Sequence, residues 1–180
     1  MRLFIFACLC LPIFVHAQTQ SPWMFGVGFG GGIDFVSSTT DARYSRVSLP
    51  NVQVGYHLSD AWTILFYAPG GVDRITPENK AFEALTFSAR YAMSPRWNCL
   101  AGAGLGLDIT PFYAVDYADG PPPVYIGPAA VAEMDYLLLT FGKKWSLCAG
   151  ARVLYANIQH TTAEQHVATD LLISIKWNNQ

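Results

Sequence analysis

Five tryptophans punctuate this chain, and each stands at the end of a stretch in which apolar and polar residues alternate. Trp23, Trp62, Trp97 and Trp145 open such stretches, and Trp177 closes the last. Alternation with period two is the mark of a strand with two unlike faces. An indole has an apolar body and a hydrogen-bonding edge, so indoles gathered at one set of strand ends form a belt at a membrane–water interface. In lipid every backbone group must find a partner and no sheet edge can be left open, which restricts such a chain to a closed sheet. The expected fold is all-β, an eight-stranded antiparallel up-and-down transmembrane β-barrel.

Composition points the same way. The chain is 52% hydrophobic and 13% charged, whereas ordinary soluble domains carry about 25% charged residues. Yet the sequence after residue 17 holds no run approaching the ~18 unbroken apolar residues of a membrane helix. The first seventeen residues read as a signal peptide: Arg2 gives the positive start, Leu3 to Val15 the apolar core, and Val15-His16-Ala17 the small residues before a cut. Cys8 and Cys10 lie inside that core in no lipoprotein-like context, so a lipid anchor is not expected. The barrel domain then covers 18–180. Losing Arg2 from 11 basic residues leaves 10 against 13 acidic ones, a net of −3, which excludes the basic surface of a nucleic-acid binder.

Eight alternating segments follow, placed at Trp23–Val36, Leu49–Leu58, Ala61–Ala68, Phe82–Met93, Arg96–Ile109, Tyr125–Leu139, Trp145–Ile158 and His166–Trp177. Tight turns at Ser59-Asp60, Ser94-Pro95 and Phe141–Lys144 alternate with longer connections at Ser37–Ser48, Pro69–Ala81, Thr110–Val124 and Gln159–Gln165. Short periplasmic turns and longer outer loops are usual in such barrels, which puts both termini and the tryptophan belt at the periplasmic rim. Pro128 sits awkwardly in the sixth segment, because a proline removes a ladder donor and a closed barrel has no edge to hide it. Either a bulge there or full pairing only from Ala129 is expected.

Parity sorts the side chains. Leu85, Phe87, Ala89 and Tyr91 share the lipid face of the fourth segment, and Ala84, Thr86, Ser88 and Arg90 the inner face. Likewise Trp97, Cys99, Leu105, Leu171 and Ile173 point out. Inward parity collects Asp34, Arg90, Asp108, Glu133, Asp135, Arg152, Asp170 and Lys176. Charges of both signs inside a low-dielectric tube are tolerated when paired and hydrogen-bonded, so an internal ion-pair network is expected to close the lumen. Gly26, Gly28, Gly30 and Gly32 also point inward, leaving room for long side chains such as Arg90, Arg152 and Tyr67. The alternative is a small-solute channel. Cys99 and Cys148 fall on opposite faces and are expected to stay unbonded.

Two loop segments carry chemistry-bearing residues. Phe112, Tyr113 and Tyr117 lie on the third outer loop with no core to bury them, which suggests contact with something outside. Asp116 and Asp119 beside them match no calcium-loop spacing, and no metal or other cofactor is expected. His160 and Thr162 in the fourth loop, with Asp170 beyond, bring together an imidazole, a hydroxyl and a carboxylate, the groups of acyl transfer.

From Trp23 to Trp177 the chain resembles the small OmpA/OmpX-like outer-membrane β-barrel proteins of Gram-negative bacteria, in its leader, strand count, loop alternation and aromatic-ended last strand. Asn178-Asn179-Gln180 follow Trp177 where such barrels usually end on the aromatic. The resemblance implies a monomer in the cell outer membrane, surrounded by lipid and lipopolysaccharide and inserted by the outer-membrane assembly machinery. It implies a non-enzymatic, structural or surface-contact role. Arg152 to Thr162 bears a weaker resemblance to the outer-membrane lipid A deacylases, whose His-x-Ser pair would be His160 and Thr162 here. A soluble barrel of the lipocalin kind is the third reading, and it would turn the Phe and Leu face inward.

Overall fold

The computed structural model describes residues 22–37, 42–74, 80–108, 125–142, 144–159 and 163–178. They form β1 (Trp23–Ser37), β2 (Ala42–His57), β3 (Trp62–Ala68), β4 (Gly70–Arg74), β5 (Lys80–Ala92), β6 (Trp97–Asp108), β7 (Tyr125–Phe141), β8 (Trp145–Gln159) and β9 (Ala163–Asn178). β3 and β4 are two halves of one stave, since both pair with β2 on one side and β5 on the other. Each stave runs antiparallel to the next, and β1 pairs with both β2 and β9. The sheet is a closed eight-stranded up-and-down barrel.

Closure carries a defined stagger. Ladder partners followed from Gly26 through Gln53, Tyr67, Thr86, Gly104, Ala129, Ala156 and His166 return to β1 at Val36, ten residues farther along. With ~3.3 Å per residue and ~4.8 Å between strands, that stagger over eight staves tilts the strands by about 40°. Tilt explains why the strands are long. β2, β7 and β9 have 16, 17 and 16 residues, more than the ~9 to 11 needed to cross hydrocarbon, so their ends extend beyond it.

The outer wall is apolar. Leu171 is 72% exposed and Phe87 67%, and Phe25, Phe29, Phe66, Leu105 and Ile173 stand out beside them. A soluble fold cannot present so much contiguous apolar surface to water, whereas lipid requires it. The lipocalin-like arrangement is therefore overturned, since the Phe and Leu face is outside and the charged face inside. Cys99 and Cys148 are both free thiols, the first half-buried on the outer face and the second buried on the inner.

Prolines and bulges shift the strand limits from those expected. β2 starts at Ala42 instead of Leu49, because Leu49 and Pro50 together lie opposite Phe29 and the ladder resumes at Ser48. This bulge accommodates a proline that has no donor to offer, and it reverses parity: Arg46 and Ser48 face inward before it, Asn51 and Gln53 after it. The third stave does not end at Ala68 either. It breaks at Pro69, whose carbonyl still accepts from Ala84 N at 2.8 Å, and continues as β4. The connections at Ser37–Ser48, Pro69–Ala81 and Gln159–Gln165 are correspondingly shorter than expected. Pro128 makes no bulge against β6, where Leu105 faces it in unbroken register, and pairing with β8 begins at Ala129. The irregularity on β7 falls instead between Leu137 and Leu139. Gly142 closes the turn that follows with a φ of 64°, a left-handed conformation favouring glycine.

Candidate functional site

All eight charged residues expected in the lumen are buried, none more than 8% exposed. Alternation puts them inward, and closure brings distant ones together. Arg152 on β8 is the hub. Its Nε and Nη2 donate to Asp170 on β9, Nη2 also to Ser48 Oγ at 2.6 Å, and Nη1 to Asn51 Oδ1 and to Tyr67 OH at 2.9 Å. In the strand order β3 stands across the barrel from β8, so the Arg152–Tyr67 contact spans the bore. Tyr67 OH in turn donates to Glu133 Oε2 at 2.6 Å, and Gln53 Nε2 to Glu133 Oε1 at 3.4 Å. Asp170 is shared with Arg46, whose Nε lies 3.5 Å from its second oxygen while the guanidinium stacks 4.2 Å over the Phe82 ring.

A second group lies toward the tryptophan rim. Lys176 Nζ donates to Asp135 Oδ2 at 2.6 Å, Asn98 Nδ2 to Asp135 Oδ1 at 3.1 Å, and Arg90 Nε stands 3.8 Å from the same carboxylate. Toward the opposite end an apolar cluster of Leu65, Tyr67, Phe82, Leu154, Ala156 and Ile158, with smaller residues, fills the lumen. Beyond it His166 Nδ1 and Asp34 Oδ2 are 2.7 Å apart, with Glu164 Oε2 3.6 Å from Nε2. Asp108 ends β6 on that side, opposite Phe82 and Tyr125. The filling is thus layered, with charged groups on both sides of an apolar cluster.

Several members are not legible in the sequence. Arg46 and Ser48 fall within the expected 37–48 connection, and Asn51 and Gln53 follow Pro50, where the alternation changes face. That proline was the available signal, since a proline amid alternation marks a bulge and a change of face. The glycine wall also differs in part from expectation. A Cβ on Gly26 would meet Lys176 Cγ at 3.3 Å, so side chains do fill the space there, but one on Gly32 would sit 1.7 Å from the Thr169 carbonyl oxygen. At that height glycine permits close approach of backbones.

The five tryptophans lie at one rim with the turns at 58–61 and 93–96 and with Gly142 and Lys144. Each pairs with an aromatic neighbour on the adjacent strand. Ring centroids are 5.5 Å apart for Trp23–Tyr56, 4.8 Å for Trp62–Tyr91, 4.9 Å for Trp97–Tyr136 and 5.6 Å for Phe25–Trp177, and Trp145 faces Trp177 across the ladder. Lys144 stands 5.7 Å over the Trp177 ring. Phe112, Tyr113, Tyr117, His160 and Thr162 lie outside the described residues. Asp170, the third member of the acyl-transfer constellation, is held inside the barrel by Arg152 and is not turned toward the loop.

No family model and no curated protein sequence matches the chain. Solved structures do. Neisserial surface protein A is similar over 89% of this chain and 99% of its own, at 16% identity and a TM-score of 0.58. Ail, the attachment invasion locus protein of Yersinia pestis, is similar over 84% of this chain and 97% of its own, at 7% identity and a TM-score of 0.54. Ail has also been solved in complex with the heparin analogue sucrose octasulfate, and that structure gives a TM-score of 0.50 at 9% identity. With its closed stagger, apolar exterior and one-sided aromatic rim, the chain has the fold of the small OmpA/OmpX-like outer-membrane β-barrels.

Proposed function

We propose that this protein is a non-enzymatic barrel of the Gram-negative outer membrane, closed along its lumen, that acts through its outer loops in a structural or surface-contact role. The observation carrying this reading is the Arg152 guanidinium lying across the bore, bonded to residues of β2, β3 and β9. A solute path would have to displace a buried cation from four partners, a cost of several kcal/mol. With its interior so occupied, the barrel has its loops left for contact. The similar structures carry names of that kind, a surface protein and an attachment protein. The chain is a monomer among lipid and lipopolysaccharide, delivered by the outer-membrane assembly machinery after cleavage at Ala17.

Deleting Phe112 to Pro121 tests the reading. Insertion, read as a heat-modifiable band in the outer-membrane fraction, should survive because the strands carry the assembly information, while adhesion of bacteria displaying the protein to host cells or matrix should fall. Large, stable conductances from the purified protein in planar bilayers would replace the closed scaffold with a channel. Lipid A deacylation abolished by His160→Ala would replace it with an acyl hydrolase.

A further inference from the structure

The mouth of the barrel at the tryptophan rim is a polar cavity of about 380 Å³, within the size range of small-ligand sites. Its wall includes Arg90, Lys144 and Lys176, and Asp60 is the one carboxylate among the described lining residues. Asp135, just beneath, accepts from Lys176 at 2.6 Å and stands 3.8 Å from Arg90 Nε, so its charge is spent chiefly on the lysine. Arg90 is only partly satisfied: Nη2 donates to Gln53 Oε1 at 2.5 Å, but Nη1 donates to Met24 Sδ at 2.8 Å, a weak thioether acceptor, and Nε makes no hydrogen bond among the described residues. Three cations thus face two carboxylates, and the arginine carrying the imbalance is 6% exposed at the floor of a cavity that opens outward. A buried guanidinium with one arm on a sulfur atom and its Nε without a hydrogen bond has donors that an oxyanion would satisfy better.

We propose that this mouth binds a small oxyanion, a phosphate or carboxylate group, held by Arg90 and Lys176 with Lys144 at the entrance. Neutral donors from Asn98 and Ser146 on the same wall complete its shell. The site lies at the end of the barrel opposite the outer loops and is independent of what they contact.

The test is calorimetric titration of inorganic phosphate into the full chain refolded in non-ionic detergent at low ionic strength. Saturable binding is expected, weakened by added sodium chloride. Lys176→Met should weaken it by about tenfold or more, the value of a hydrogen bond to a charged group. Lys144→Gln, on an exposed turn where loss of the charge leaves the barrel intact, should weaken it severalfold, which keeps the test decisive if Lys176→Met fails to fold. No saturable heat, or an affinity unchanged in Lys144→Gln and in any folded Lys176→Met, overturns the proposal. Repeating the titration in phosphatidylcholine vesicles with and without phosphatidylglycerol identifies the source. Phosphate affinity lowered by the anionic lipid supports a lipid headgroup as the natural occupant, and an unchanged affinity supports a free anion.

Discussion

Arg152 sits where a lone cation would be intolerable, 2% exposed inside a tube walled by backbone and apolar groups. Its contacts with Asp170, Asn51, Ser48 and Tyr67 make it tolerable. Removing one partner of such a set leaves the others buried and uncompensated. Arg152→Met should therefore lower folding stability by about 3–5 kcal/mol, read as a lower urea midpoint for the protein in vesicles. The double variant Arg152→Met with Asp170→Leu should recover part of that loss. The outer face answers to the opposite rule: Leu171→Arg, placing a charge against lipid, should destabilise by about 2–4 kcal/mol in the same titration, whereas Leu171→Val should change little. These two positions were legible from parity alone. Arg46 was not, because the shift of face at Pro50 hides which parity is inward.

At the scale of the strand, β1 shows how one composition serves two needs. Gly26 and Gly32 share the inner face, but the Cβ of an alanine at Gly26 meets the side chains of Lys176 and Gln53 at 3.3–3.5 Å, while at Gly32 it meets the β9 backbone at Thr169 and Asp170. Gly32→Ala should consequently cost about 1–3 kcal/mol, with Gly26→Ala costing far less, measured by urea unfolding or by the temperature at which the heat-modifiable form is lost. An equal cost at both positions would show that the strands do not approach as described. The sequence shows four alternate glycines and no difference among them. What separates them is the distance to a neighbouring strand that lies well over a hundred residues away in the chain.

For the whole molecule, the one-sided aromatic rim makes a prediction about depth. Trp23, Trp62, Trp97, Trp145 and Trp177 occupy the same end, so their fluorescence should be quenched strongly by lipids brominated near the headgroup and weakly by lipids brominated at the chain ends. Strong quenching from the bilayer centre would place the rim inside the hydrocarbon and remove the basis for the orientation. The same belt was the most informative feature of the sequence, because interfacial preference belongs to the indole itself.

The division between what sequence and structure contribute follows from the range of the forces. Strand number, the belt, the charged interior and, away from Pro50, the face assignment were determined by the sequence alone, since period-two alternation and turn residues are local properties that any strand in lipid must satisfy. Which charges meet was decided only by the tertiary structure. Ser48 and Arg152 are 104 residues apart, and His166 and Asp34 are 132 apart. They come together because eight staves close with a ten-residue stagger and because single extra residues at Pro50 and Leu138 rotate the faces. Those features depend on how neighbouring strands slide against one another, and alternation within one strand holds no record of it.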